Sequence, residues 1–257
     1  MLVALTRPVS PSLAACELTH LPRRPIDVQR AIVQHTAYEA ALTALGVHVV
    51  RAAAAPELPD AVFIEDTAIV LDELAVLTRP GAPSRRAETP AVADALASFR
   101  PLLHLADPAT LDGGDVLRLG RDLYVGQSSR SNAAAVAALR DQLTPHGYRI
   151  HATPFRHCLH LKSAVTAVGE RRLLFNPAWV SADCFPGYEM IPIDPGEPAA
   201  ANALLVAGSV VFPEHFPRTA ERLLRTGAEL TPVECSELAK AEGGVTCCCL
   251  LLDSPRR

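Results

Sequence analysis

The sequence predicts an α/β fold, a five-bladed α/β propeller built of pseudosymmetric ββαβ-type repeats. Three observations lead there. Four apolar hairpins recur along the 257-residue chain, spaced roughly 40–50 residues apart, a period that signals solenoids, propellers or arrays. Helical periodicity fills the intervals between hairpins, which favours mixed blades over all-β ones. Two apolar strands at the chain ends lack a hairpin partner of their own, and pairing them would close the ring as a fifth unit and remove exposed sheet edges. One domain, residues 1–257, is expected.

The opening strand is Leu2 to Thr6, and helical spacing follows over Val28 to Leu45. The first hairpin runs Ala68 to Leu71, turns at Asp72-Glu73 and returns through Leu74 to Leu77; a helix over Thr89 to Phe99 comes next. The second runs Asp115 to Leu119, turns at Gly120-Arg121-Asp122 and returns through Leu123 to Val125, ahead of a helix over Asn132 to Leu143 that Thr144-Pro145-His146-Gly147 ends. The third joins Ala164–Val168 to Leu173–Phe175, and the fourth joins Ala203–Val206 to Ser209–Phe212 through Ala207-Gly208. A helix over Pro217 to Arg225 and a closing strand, Thr246 to Leu252, complete the set.

Composition narrows the function classes. With 49% hydrophobic and 20% charged residues the chain can bury a full core. A net charge of −4 without long lysine or arginine blocks gives no electrostatic footprint for nucleic acid, leaving small molecules as expected partners. No run approaches the ~18 apolar residues of a membrane span, and Arg7-Pro8 interrupts the N-terminus before a signal core can form, so a cytoplasmic protein is expected. Seven cysteines, three of them consecutive, do not make a disulfide framework and suit a reducing compartment. A zinc site on Cys247, Cys248 and Cys249 is disfavoured, because consecutive strand residues face opposite ways. Neither metal nor cofactor is expected, and the oligomeric state stays open between monomer and homodimer.

The repeats also order the polar residues. At or just before the first strand of successive units stand Glu65-Asp66, Asp112-Gly113-Gly114-Asp115, His160 and Cys247. In a ring these positions converge on one mouth of the central channel, where rigid strands fix their geometry. A cysteine, a histidine and carboxylates suit covalent hydrolysis of a cationic substrate. Carboxylates pair bidentately with a planar guanidinium, a thiolate attacks its central carbon, and His160 protonates the departing amine and then activates water. Asp112 would orient and stabilise the imidazolium.

Six segments in order resemble one family: Phe63-Ile64-Glu65-Asp66-Thr67, Thr78 to Arg86, Leu111 to Leu117, Gly126-Gln127-Ser128-Ser129-Arg130, Leu159-His160-Leu161-Lys162-Ser163 and Gly243-Gly244-Val245-Thr246-Cys247. They look like dimethylarginine dimethylaminohydrolase, of the guanidine-modifying or pentein superfamily. The resemblance implies a pentein fold that hydrolyses asymmetric dimethylarginine and monomethylarginine to citrulline and the methylamine, without metal or cofactor, through a covalent S-alkylthiouronium intermediate. By motif, it implies Cys247 as nucleophile, His160 as general acid/base, Asp66 with Glu65 on the guanidinium, and Asp60 on the α-ammonium. Arg85 and Arg130 would hold the α-carboxylate, with Arg86 the alternative register for Arg85. Leu18, in a proline-rich segment resembling a lid, and the backbone of Ala241 would also contact substrate. Asp112 stands one methylene short of the glutamate common in the family's bacterial members. Arginine deiminases carry an aspartate two residues after the histidine, where this chain has Lys162. A non-catalytic propeller, such as a ribosome-binding anti-association factor, would lack the cysteine, histidine and acidic set.

Overall fold

The structure is a computed structural model that describes residues 1–254; the final part of the expected domain, 255–257, lies outside the described residues. Five three-stranded sheets form the blades of a ring. The terminal blade begins with β1 (Leu2–Thr6), α1 (Val28–Ala44) and β2 (His48–Arg51). The second holds β3 (Ala68–Val70), β4 (Ala75–Leu77), α2 (Thr89–Leu96) and β5 (Leu102–His104). The third holds β6 (Val116–Leu119), β7 (Asp122–Gly126), α3 (Ala133–Leu143) and β8 (Arg149–Thr153). In the fourth, the short α4 (Leu161–Ala164) leads into β9 (Val165–Gly169), β10 (Arg172–Phe175) and β11 (Glu189–Pro192). The fifth contains β12 (Leu204–Val206), β13 (Ser209–Pro213), α5 (Pro217–Arg225) and β14 (Glu229–Val233), after which α6 (Ser236–Ala239) and β15 (Leu250–Asp253) return to the terminal blade.

Each blade follows one rule. An antiparallel pair is followed by a crossover to a third strand lying parallel to the middle one, as in β6-β7-β8. β15 takes the first place in the terminal blade, antiparallel to β1, which is parallel to β2. The chain ends therefore close the ring. The fourth blade departs from ββαβ: its crossover carries only a 3-10 turn, Ala182–Cys184.

Local chemistry explains the boundaries. Asp27 caps α1 by accepting from the Arg30 amide, and Asn132 caps α3 by accepting from Ala135, so Asn132 stands outside the helix it was expected to open. The β12-β13 hairpin turns on Ala207 and Gly208 with φ of 50° and 86°, the positive values that a two-residue turn between twisted strands requires.

Five apolar clusters hold the ring, one at each junction between blades. Leu117, Tyr124, Val165 and Leu173 join the third blade to the fourth; on the other faces of the same strands, Val116 and Leu123 join the third to the second. The alternation of strand side chains thus sends neighbouring residues into different cores, and each buried leucine contributes about 1.5–3 kcal/mol. The first strand of every blade faces a central cavity of about 290 Å³, lined by Ile69, Leu117, Thr166, Leu204 and Leu250 among others.

The largest departure from expectation lies at the C-terminal strand. It begins at Leu250, and 245–248 form a turn, so Cys247 is not a strand residue. Face alternation, which would put Cys247 and Cys249 together, does not apply. Cys247 lines the cavity at one mouth of the ring. Cys249 faces the central cavity and accepts a 3.1 Å hydrogen bond from the Tyr38 hydroxyl.

Candidate active site

Equivalent short turns lead into the inner strands, and they carry the polar residues. Glu65 and Asp66 lie on the 3-10 turn Ile64–Thr67 before β3. Asp112 precedes the 3-10 turn Gly113–Asp115 before β6, His160 caps α4 before β9, and Cys247 sits in the turn before β15. Asp60, Asp66, Arg85, Arg130, His160, Ala241 and Cys247 line one cavity. A larger cavity of about 410 Å³ lies across the wall formed by Leu159, Glu242 and Gly243, and none of the expected site residues lines it.

His160 is fixed by carboxylates on both ring nitrogens. Its Nε2 is 3.0 Å from Asp112 Oδ2 and its Nδ1 is 3.7 Å from Asp66 Oδ1. Burial alone would depress the imidazole, but Asp66, Asp112 and Asp115 overcome it and raise its pKa to about 9. The ring is therefore a cation near neutrality. Asp112 is held by the Gly81 amide at 2.9 Å, and Asp115 accepts from Leu161 N at 2.9 Å, fixing the start of α4.

Asp66 spans the site. One oxygen accepts from Gly114 N at 2.9 Å and the other from Arg85 Nη1 at 2.5 Å. Burial pushes its pKa up, but His160 and Arg85 prevail and hold it at about 2. Asp60 is pushed up by burial, which outweighs the nearby Arg85. Arg85 also bonds Glu88 and the carbonyls of Asp60 and Phe63, so much of its fork is occupied by the protein. Arg86 instead bonds the Pro80 carbonyl, placing Arg85 alone of the pair at the cavity. Arg130 bonds Thr19 Oγ1 at 3.1 Å and stands 3.5 Å from Asp112.

Cys247 is 8% exposed, and Gly244 N approaches its sulfur at 3.3 Å. Burial, with Glu65 and Asp66 adding to it, pushes the thiol pKa far up, so the resting group is neutral. Close approach explains the glycines of the motifs. A Cβ on Gly114 would lie 2.6 Å from His160 Nδ1, and one on Gly243 would lie 2.1 Å from the Phe63 ring.

Three expected residues stand off the cavity. Glu65 turns away from Asp66 to bond Lys162 Nζ and Thr246 Oγ1 at the end of the central cavity. Asp112 stands behind His160, bonded to its Nε2, and Leu18 lies between two residues that reach the site, Glu17 and Thr19. Asn202 was missed: before β12 it occupies the place equivalent to Asp66 and Cys247, and its amide pins Thr246 by bonds of 3.1 Å and 3.0 Å. The repeat register was the signal that could have found it. Glu17 and Glu242 also line the cavity, though neither was expected to contact substrate. Asp66, Asp112 and His160 also offer atoms within 4.8 Å of one another, the spacing of a metal ligand set; both imidazole nitrogens there already face carboxylates.

The family model for eukaryotic N,N dimethylarginine dimethylhydrolase matches residues 22–181. An N(G),N(G)-dimethylarginine dimethylaminohydrolase from Streptomyces coelicolor is 40% identical over 247 residues, 95% of this chain and 94% of the relative. The chain belongs to the dimethylarginine dimethylaminohydrolase family. A Pseudomonas aeruginosa member is 33% identical, over 86% of this chain and 88% of its own. The solved structure of a cysteine-to-serine mutant from that organism, complexed with citrulline, superposes with a TM-score of 0.93 at 31% identity, covering 97% of this chain and 98% of the other. The pentein fold expected from the sequence is the fold of this family member. Among the described residues, no helix is long and apolar enough to cross a membrane.

Proposed function

We propose that this chain is a cysteine hydrolase of Nω-methylated arginines, converting asymmetric dimethylarginine and monomethylarginine to L-citrulline and dimethylamine or methylamine. The observation that carries the reading is a buried imidazole, held between the Asp66 and Asp112 carboxylates, sharing one cavity with the Cys247 thiol. Asp66 and Asp60 give the cavity its negative character, and Arg130 with the remaining N–H of Arg85 receives the α-carboxylate. Asp60 takes the α-ammonium, the Ala241 carbonyl contacts substrate, and Leu18 lies in the covering segment. Glu65, paired with Lys162, supports the guanidinium end from beneath.

Chemistry follows from the two protonation states. Burial keeps the thiol protonated, and the docking guanidinium adds positive charge beside it that favours the thiolate, releasing the thiol proton to solvent. Cys247 Sγ bonds to the guanidinium carbon. His160 gives its proton to the methylated nitrogen as the C–N bond breaks, leaving the amine free and an S-alkylthiouronium on the enzyme. Neutral His160 then removes a proton from water, whose oxygen attacks the same carbon. The C–S bond breaks, the proton left on the added hydroxyl passes to the departing thiolate, and neutral citrulline leaves behind the Cys247 thiol and a reprotonated His160.

Lys162 supports methylated arginine over arginine, since its ammonium is bound to Glu65 where a deiminase would place a second carboxylate. The seven free cysteines fit a cytoplasmic enzyme. Citrulline formation from asymmetric dimethylarginine, monomethylarginine, symmetric dimethylarginine and arginine, without added metal, tests the reading with Cys247→Ser as control. Turnover of the first two, lost in the variant, is expected; turnover of arginine alone would make this a deiminase.

A further inference from the structure

We propose that Glu242 is a positioning residue whose carboxylate fastens the N-terminal segment over the catalytic cavity. This rests on reading that cavity as the substrate site. The segment reaches the site at several points. Glu17 lines the cavity and its amide donates to Asp60 Oδ2 at 3.1 Å. Ser84 Oγ donates to the Glu17 carboxylate at 2.6 Å, and Arg130 bonds Thr19 Oγ1 at 3.1 Å. Glu242 lines the same cavity, following Ala241.

The fastening is concentrated on one side chain. The Glu242 carboxylate accepts from the backbone N–H groups of three consecutive residues: Thr19 at 3.0 Å on one oxygen, and His20 and Leu21 on the other. Successive amides converging on an anion form a concave nest, and hydrogen bonds to a charged acceptor are roughly twice as strong as neutral ones. The backbone at Glu242 gives the same indication. Its φ is 59°, a left-handed conformation that glycine or asparagine adopts at lower cost than glutamate. What glutamate adds there is the carboxylate.

A lid fastened next to the substrate-binding residues controls how long substrate stays. Arg130 and Asp60 each bond the segment and face the cavity, so substrate occupancy and segment closure share partners.

The test compares wild type with Glu242→Asn, which tolerates the left-handed backbone, and Glu242→Gln, which keeps the length. Both should retain the wild-type thermal midpoint, KM for asymmetric dimethylarginine should rise about tenfold or more, and kcat should change less, a tenfold change corresponding to about 1.4 kcal/mol. Trypsin cleavage after Arg23, within the segment, should be faster in both variants, and citrulline should slow it in wild type more than in either variant. Wild-type KM and wild-type cleavage in the variants would overturn the proposal, as would a loss confined to kcat. Wild-type protein that makes no citrulline would instead overturn the reading of the cavity, and the cleavage rates without ligand would still report on the latch.

Discussion

Asp66 holds Arg85 with one carboxylate oxygen and faces His160 with the other. The two basic side chains therefore share one buried carboxylate that lines the cavity. Removing the charge by Asp66→Asn leaves Arg85 with Glu88 alone as a carboxylate partner and withdraws the largest influence raising the His160 pKa. Breaking a buried ion pair costs roughly 3–5 kcal/mol. Asp66→Asn should lower the unfolding free energy by an amount of that order in a urea titration, and citrulline formation should fall with it. An equally stable, fully active variant would exclude this carboxylate from both roles.

His160 sets a pH dependence whose sign can be worked out. Its folded pKa of about 9 exceeds the ordinary 6.5, so proton binding stabilises the fold below about pH 6.5, and this contribution is lost as pH rises through 9. Leaving-group protonation needs the same proton. The alkaline limb of kcat should therefore fall near pH 9, and Asp112→Asn, which removes a hydrogen bond that raises the imidazole, should move that limb to lower pH. A limb unmoved by Asp112→Asn would show that Asp112 does not tune the acid.

Much of this arrangement was legible in the sequence because the fold repeats. Hairpins with two-residue alternation and turn residues marked the blades, and the register of the repeats placed Asp66, Asp112, His160 and Cys247 on one level. What escaped was whatever depends on contacts between blades. Lys162 reads only as the residue standing where deiminases carry an aspartate, until folding sets it against Glu65 across 97 residues. Glu65 and Asp66 read as a pair, yet adjacent residues on a tight turn diverge, one to the central cavity and one to the site. The turn at 245–248 was hidden because a run of apolar residues and cysteines looks the same as a strand until Asn202 pins it.

The cysteine register can be checked directly. Cys247 lines the catalytic cavity, the Cys248 sulfur points at the Gly244 carbonyl, and Cys249 contacts Tyr38. Cys247→Ser should abolish turnover with an unchanged circular dichroism spectrum, while Cys248→Ser should keep substantial activity. The opposite result would move the nucleophile by one residue.

Gly114 offers the sharpest separation of folding from chemistry. Its φ is not in the left-handed region, so alanine suits its backbone, but the added methyl carbon would lie 2.6 Å from His160 Nδ1 and 2.8 Å from Asp66 Oδ1. Neither neighbour can yield freely: Asp112 holds the far side of the imidazole, and Arg85 holds the carboxylate. The ring must shift by several tenths of an ångström or more, and misplacement of about 1 Å costs on the order of 100-fold in rate. Gly114→Ala should thus reduce kcat by one to two orders of magnitude. Gly120→Ala, at a β6-β7 turn with φ of 63° and open space around the Cβ, should strain its local backbone yet leave kcat intact. Equal kcat losses in the two variants would mean that general destabilisation, not displacement of His160, accounts for the effect at Gly114.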